Sequence, residues 1–294
     1  MPAAEPHDDV RVVTTQLLRS WAPQEPDEGG DKHSRGTVAV VGGSTATPGA
    51  VLLAGLAALR VGAGRLQVVT VDTTSVALAV SLPEAMVSGL PADEHGSVDA
   101  DATDQLVDAL AGAGTVVFGP GLSGDGVPTL LRRLLPRLGD DVSLVLDAVA
   151  LTALASAPEL LEPLASRTVL TPNSGELAAL LDGEQLEQRA ACAAVVQRYG
   201  AVVCGRGWVV CPDGRTWRDE AGGIGLGTSG SGDVLAGLVG GMLARGAEPA
   251  QAAVWGQYLH AAAGDRLAAS LGRLGFLARE LLDEVPRVLT TLRP

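Results

Sequence analysis

The chain alternates short, continuous apolar runs with longer stretches in which apolar residues recur at helical spacing. "TVAVVGG" (37–43), "LQVVTV" (66–71), "TVVFGPG" (115–121), "VSLVLD" (142–147), "TVLTPN" (168–173) and "AVVCG" (201–205) are rich in β-branched residues and read as strands. Each is apolar along its length rather than at every second position, so both faces must be covered, as in a parallel sheet between helical layers. Residues 49–64, 74–82, 127–138, 149–155, 175–182 and 184–199 read as the intervening helices, and 232–246, 249–270 and 276–290 as a helical end. "WVVCPDGRTWRDE" (208–220) breaks the alternation, because "PDG" between two β-prone runs predicts a hairpin and an antiparallel sheet edge. Before the first strand, "TTQLLRSW" (14–21) reads as a short helix followed by loop. The pattern predicts an N-terminal extension (1–30) and a single three-layer α/β/α domain (31–294) with a mostly parallel central sheet and an antiparallel edge hairpin.

Composition narrows this picture. Hydrophobic residues are 47% and charged residues 19%, a globular balance, while aromatics are only 3%. The core must therefore be built from Ala, Val and Leu, with Trp21, Trp208, Trp217 and Trp255 as exceptions. A net charge of −13 with a single lysine, Lys32, offers no footprint for a nucleic-acid backbone. Cys192, Cys204 and Cys211 are odd in number and form no CxxC pair, which argues against a disulfide framework or a structural zinc site. "MPAAEPHDDV" has no apolar core for a signal peptide, and the longest apolar run (49–59) is too short to span a bilayer. A cytoplasmic location without membrane contact is expected.

In open α/β sheets ligands bind beyond the carboxyl ends of the strands. There this chain places "GGSTATPGA" (42–50), "GPGLSGDG" (119–126), Asp147, "TPNSGE" (171–176), "CGRG" (204–207) and "GTSGSGD" (227–233). Loops of Gly and Ser before helix starts present unpaired N–H groups and the positive end of a helix dipole, which suits phosphate. Neither GxxxxGK[ST] nor GxGxxG at the first helix is present, so phosphate would be held by another scheme. Asp233 opens an apolar helix, where it can cap. Capping does not require the bare "GTSGSG" before it, and with backbone donors around a phosphoryl group Asp233 can instead accept a proton from an attacking hydroxyl.

"GSGDVLAGLVGGMLARG" (230–246) resembles the C-terminal signature of the ribokinase-like superfamily, and more closely that of its ADP- or ATP-dependent NAD(P)H-hydrate dehydratases. "DKHSRGTVAVVGGS" with "PGAVLLAGLAALRVGAG" (31–64), "LPEAMV" (82–87), "VVFGPGL" (116–122), "LTPNSGE" (170–176) and the 258–286 block follow the same order and spacing, from about residue 30 onward. The resemblance implies a repair lyase: hydrated NADH or NADPH is phosphorylated on the ring hydroxyl, with ADP as donor, and phosphate elimination restores the double bond. It implies that Asp233 is the catalytic base, that Ala50, Gly121, Asn173 and Asp233 contact substrate, and that Cys204, Gly205, Arg206, Gly207, Trp208, Gly230, Ser231 and Gly232 hold the nucleotide. It further implies Mg2+, with Glu176 helping to hold it through water, functional pairing with a separate NAD(P)H-hydrate epimerase, and a homo-oligomer, a tetramer.

Three positions depart from that pattern: Asn173 replaces a histidine, Val149 an acid and Cys204 a lysine, the last loss being one Arg206 is placed to offset. "TPNSGE" also admits a small-molecule kinase of the same superfamily, acting on a hydroxymethylpyrimidine or thiazole alcohol, and the departures admit a nucleotide sensor without catalysis. His260, inside an apolar helix, reads as a packed, hydrogen-bonded residue; His7, His33, His95 and Lys32 read as surface positions. Asp147 either caps the next helix or points into the crevice. Cys204 reads as a small core residue with no adjacent base.

Overall fold

A computed structural model describes residues 10–24, 32 and 34–292. His7, His33 and most of the loop expected before residue 35 lie outside the described residues. The chain opens with β1 (Val10–Val12) and α1 (Thr15–Ser20), whose first turn is capped by Thr14 Oγ1 accepting from Leu17 N at 3.1 Å. Then follow β2 (Thr37–Val41), α2 (Gly49–Arg60), β3 (Arg65–Val71), α3 (Asp72–Ser81), β4 (Ala85–Leu90) and α4 (Thr103–Ala109). The middle of the chain forms β5 (Thr115–Phe118), α5 (Val127–Leu134), β6 (Ser143–Leu146), α6 (Val149–Ala155), β7 (Thr168–Leu170), α7 (Ser174–Leu180) and α8 (Gln188–Tyr199). The hairpin strands β8 (Val202–Gly205), β9 (Trp208–Val210) and β10 (Thr216–Arg218) precede α9 (Ser231–Ala244), α10 (Pro249–Leu271) and α11 (Ala278–Leu292).

The strands form one sheet in the order β1-β10-β9-β8-β7-β6-β5-β2-β3-β4. Only β9 among them runs against the rest, pairing antiparallel with β8 and β10, so the edge hairpin expected from "PDG" is present. Its turn is closed by Gly214 N donating to Cys211 O at 3.1 Å. Three short elements escape the hydrophobic pattern: β1, β4 and α4. β4 is an edge strand in which only Leu90 is buried, so it lacks the apolar run that identifies its neighbours. β1 has three residues, none of them fully buried, and pairs in parallel with β10. Next to it Trp21 stacks on Trp217 with ring centroids 5.4 Å apart, and its carbonyl accepts from Gln251 Nε2 and Trp255 Nε1.

The continuous apolar strands feed two cores. Val38, Val40, Val117, Val145 and Val169 face a layer of α2, α3, α9, α10 and α11. Their neighbours Ala39, Val41, Phe118, Leu146 and Leu170 face a layer of α4 to α8. Alternation thus survives as a choice of layer rather than of solvent or core. α9 lies so close to α2 that a Cβ on Gly237 would stand 2.1 Å from the Ala54 carbonyl oxygen. That contact sets how closely α9, whose first turn carries Asp233, packs on α2.

Candidate active site

The parallel strands deliver their carboxyl ends to one edge of the sheet, where backbone bonds tie the connecting loops together. Gly43 N donates to Pro120 O at 2.7 Å, and Thr47 Oγ1 donates to Gly121 O at 2.8 Å while bonding Ser44 Oγ. Ala50, in the first turn of α2, donates its N–H to Thr47 O. Ala50 and Gly121 therefore belong to one wall, built by the loops after β2 and β5.

The next two strands bring carboxylates. Asp147, directly after β6, is 5% exposed, and its Oδ1 accepts from Thr171 Oγ1, after β7, at 2.8 Å. Burial pushes its pKa up to about 7, helped by the charges of Glu176 and Asp233 and opposed by the bonds from Thr171 and Ala148 N. Asp147 does not cap α6, whose start has no side-chain cap. The following residue, Ala148, sits at φ 53 and ψ −129, a backbone conformation that costs a non-glycine residue about 1–3 kcal/mol. Of the two readings open for Asp147, capping is therefore excluded. Sequence left this residue undecided because a strand-ending aspartate before a helix satisfies both patterns.

Asn173 caps α7: its Oδ1 accepts from Gly175 N at 2.8 Å and Glu176 N at 3.0 Å, while Glu176 Oε2 accepts from Asn173 N at 2.9 Å. This reciprocal capping box engages one oxygen of each side chain and leaves the Asn173 amide NH2 and Glu176 Oε1 toward other partners. Burial raises the Glu176 pKa, against the two bonds from Asn173.

Asp233 occupies the first turn of α9, and no side chain caps that helix. Gly230, at its N-cap, has φ +87, and a Cβ there would stand 2.5 Å from Leu53 Cδ1 and 3.8 Å from Asp233 Oδ2. Only glycine turns the chain here and leaves the α9 amides open. Burial first, and Glu176 second, raise the Asp233 pKa to about 6. Among the described residues its carboxylate has no hydrogen bond that would make it a cap. Ser231 is buried and its Oγ bonds His260 Nε2 at 2.8 Å, so its side chain anchors the loop from below. His260 is held neutral, its pKa driven down to about 4 by burial against a bond to the Ser231 backbone.

The β8–β9 turn completes the edge. Cys204 is 1% exposed and its thiol bonds Ala253 O and Gln257 Oε1, so it brings only backbone to the turn. Burial lifts that thiol well above its ordinary range. Arg206 is exposed; Gly207 O accepts from Asp219 N and from Arg218 Nη1; Trp208 is half-buried beneath the Arg218 guanidinium. Lys32 and His95 are exposed, as surface positions should be. Two sets of the expected residues are thus brought together: Ala50 with Gly121, and Asp233 with Asp147 and Glu176.

Glu176 raises the pKa of both Asp147 and Asp233, and Asp233 raises that of Asp147, a field that a cation would relieve. Yet among the described residues no three acidic, histidine or cysteine side chains stand close enough to hold a metal directly. The donor set fits an ion held by nucleotide phosphates and water, the form in which Mg2+ is usually bound.

The profile of the NAD(P)H-hydrate dehydratase family matches residues 38–287. The chain belongs to that family. A dehydratase relative from Xanthomonas campestris pv. campestris, named ADP-dependent (S)-NAD(P)H-hydrate dehydratase, is 43% identical over 96% of this chain and 97% of its own. The bifunctional NAD(P)H-hydrate repair enzyme of Moorella thermoacetica is 37% identical over 98% of this chain, which spans only 56% of that protein. Among solved structures, the ADP/ATP-dependent NAD(P)H-hydrate dehydratase of Bacillus subtilis, co-crystallised with ATP/Mg2+, superposes with a TM-score of 0.78 at 27% identity, covering 97% of this chain and 100% of that one. A ribokinase-like protein from Enterococcus faecalis gives 0.81 at 23% identity over 97% of this chain and 96% of its own, which establishes the fold. This dehydratase therefore has the ribokinase-like fold. No helix among its described residues is long and apolar enough to cross a membrane.

Proposed function

We propose that this dehydratase restores hydrated NADH and NADPH with ADP as phosphoryl donor, and that Asp233 is its base. The observation that carries the mechanism is a carboxylate free of capping bonds in the first turn of an uncapped helix. The amides of Gly232 and Asp233 and the α9 dipole stabilise charge that builds on the transferring phosphoryl group. Asp233 takes the proton of the nicotinamide-ring hydroxyl as its oxygen attacks the terminal phosphorus of ADP, releasing AMP. Phosphate then leaves the ring carbon that bore the hydroxyl, the adjacent carbon gives up a proton to solvent, and the ring double bond is regenerated. A pKa near 6 leaves Asp233 ionised at neutral pH yet more basic than an exposed aspartate.

Ala50, Gly121 and the Asn173 amide NH2 line the substrate side, with Gly205 to Trp208 and Gly230 to Gly232 on the nucleotide side. Cys204 serves that turn through its backbone. A Mg2+ ion, when bound, neutralises phosphate charge; Glu176 Oε1 and Asp147 would hold its waters. ADP as donor is supported by the name of the Xanthomonas relative, and Mg2+ by the crystallised Bacillus one. Relatives nearly twice as long, named bifunctional repair enzymes, support pairing with a separate epimerase that supplies the correct hydrate epimer. We also propose a homo-oligomer, a tetramer, and a cytoplasmic setting.

The test is to supply hydrated NADH with ADP or ATP and follow the reduced-nicotinamide absorbance. Recovery with ADP, faster than with ATP, is expected. No recovery with either nucleotide, together with phosphorylation of a hydroxymethylpyrimidine or thiazole alcohol, would assign the kinase activity instead.

A further inference from the structure

The nucleotide side of the crevice needs a full positive charge that the proposed binding loops do not obviously supply. Two phosphates would bring several negative charges toward Asp147, Glu176 and Asp233, while a helix N-terminus offers about half a charge. The chain's single lysine, Lys32, is exposed and precedes β2, so any side-chain counter-charge beside a bound Mg2+ comes from arginine.

Arg218 is built for it. β10 runs parallel to β8, so its last residue arrives at the same sheet edge, beside the β8–β9 turn. Arg218 Nη1 donates to Gly207 O at 3.1 Å, and the adjacent Asp219 N donates to the same carbonyl at 2.9 Å. The Arg218 Cζ lies 5.0 Å from the Trp208 ring centroid, and Arg189, at the start of α8, places its own Cζ 5.7 Å from that centroid. The contact with Gly207 engages one N–H of the guanidinium, and among the described residues the others have no acceptor.

We propose that Arg218 is a phosphate ligand of the nucleotide subsite, pre-set by Gly207 and Trp208 to meet the phosphates of a nucleoside diphosphate. This rests on the reading of residues 204–208 as the nucleotide loop. A guanidinium laid on an indole and tied to a carbonyl has already lost much of its rotamer freedom, so meeting a phosphate costs little further ordering. Its planar fork gives bidentate contact that a lysine ammonium cannot reproduce. Arg206, exposed on the turn without such bracing, contributes less.

The experiment is calorimetric titration of ADP and adenosine into wild type, Arg218→Gln, Arg218→Lys and Arg206→Gln. Arg218→Gln is expected to weaken ADP about tenfold or more while adenosine changes by less than about twofold. Arg218→Lys falls between, and the Gln penalty shrinks as salt rises. Arg206→Gln weakens ADP less than Arg218→Gln. The proposal is overturned if Arg218→Gln binds ADP as wild type does, if it loses ADP and adenosine by the same factor, or if Arg206→Gln costs more. A wild type that binds no ADP refutes the nucleotide-loop reading itself, an outcome distinct from a wild type that binds ADP without Arg218's help.

Discussion

Replacing Asp147 with asparagine should stabilise the ligand-free enzyme at alkaline pH and do little in acid. The carboxyl is buried, and its pKa stands at about 7 against an ordinary 3.8. Because the folded value is the higher one, the folded state holds the proton between those limits, and the Asp147 contribution to stability falls as pH rises through that window. About three units at roughly 1.4 kcal/mol each make the ionised carboxylate cost about 4 kcal/mol above pH 7. Asparagine resembles the protonated acid and can still accept from Thr171 Oγ1. The stability difference between variant and wild type should therefore grow by about 3 kcal/mol from pH 5 to pH 8. His260 works in the opposite sense: its folded pKa is depressed to about 4, so its contribution is lost as pH falls through the window below its ordinary value. The slope of wild-type stability alone is a sum of opposing parts, and only the difference isolates Asp147. Urea unfolding of both proteins at several pH values measures it. A difference that stays flat, or shrinks with pH, would refute the picture of a carboxylate ionised against its surroundings.

The other expectations concern the loop and helix that carry Asp233. The kcat/KM for hydrated NADH should rise with pH to a plateau with its midpoint near 6, since the base must be ionised; a profile flat from pH 5 to 8 would contradict this. Gly230→Ala should cost about 1–3 kcal/mol of stability and most of the turnover, because φ +87 and Leu53 Cδ1 both oppose a Cβ; thermal unfolding and initial rates report the two losses. His260→Ala should cost about 2–4 kcal/mol by leaving the buried Ser231 hydroxyl unpaired and opening a void, a loss that denaturant unfolding measures. Its effect on ADP affinity, read by titration, should be a rise in Kd from a loosened anion loop.

Legibility in the sequence followed burial. Strands covered on both faces, such as Thr37–Val41 and Thr115–Phe118, have no competing reading, whereas β4 and β1 at the sheet edges carry too little apolar signal to separate from loop. Asp233 was legible because three glycines leading to an acid at a helix start exceed what capping needs. Asp147 was not, since only the tertiary fold brings Thr171 and Glu176 to it from 24 and 29 positions along the chain. Asn173 reads as a substrate contact by resemblance, while locally it is a helix cap; one side chain has groups for both, and no sequence pattern separates them. Arg218 was invisible for a similar reason: a strand-ending arginine gains meaning only once the hairpin folds it onto Gly207 and Trp208.

The central claim is that the Asp233 carboxylate takes the proton while the open α9 terminus holds the phosphoryl group. It is tested most directly by single-turnover recovery of reduced-nicotinamide absorbance from hydrated NADH, with saturating ADP, in wild type and Asp233→Asn. The account predicts one AMP and one phosphate per NADH recovered by wild type. It predicts a variant that binds ADP with unchanged or tighter Kd and turns over slower by about a thousandfold or more. A variant that restores NADH at a rate near that of wild type would contradict it.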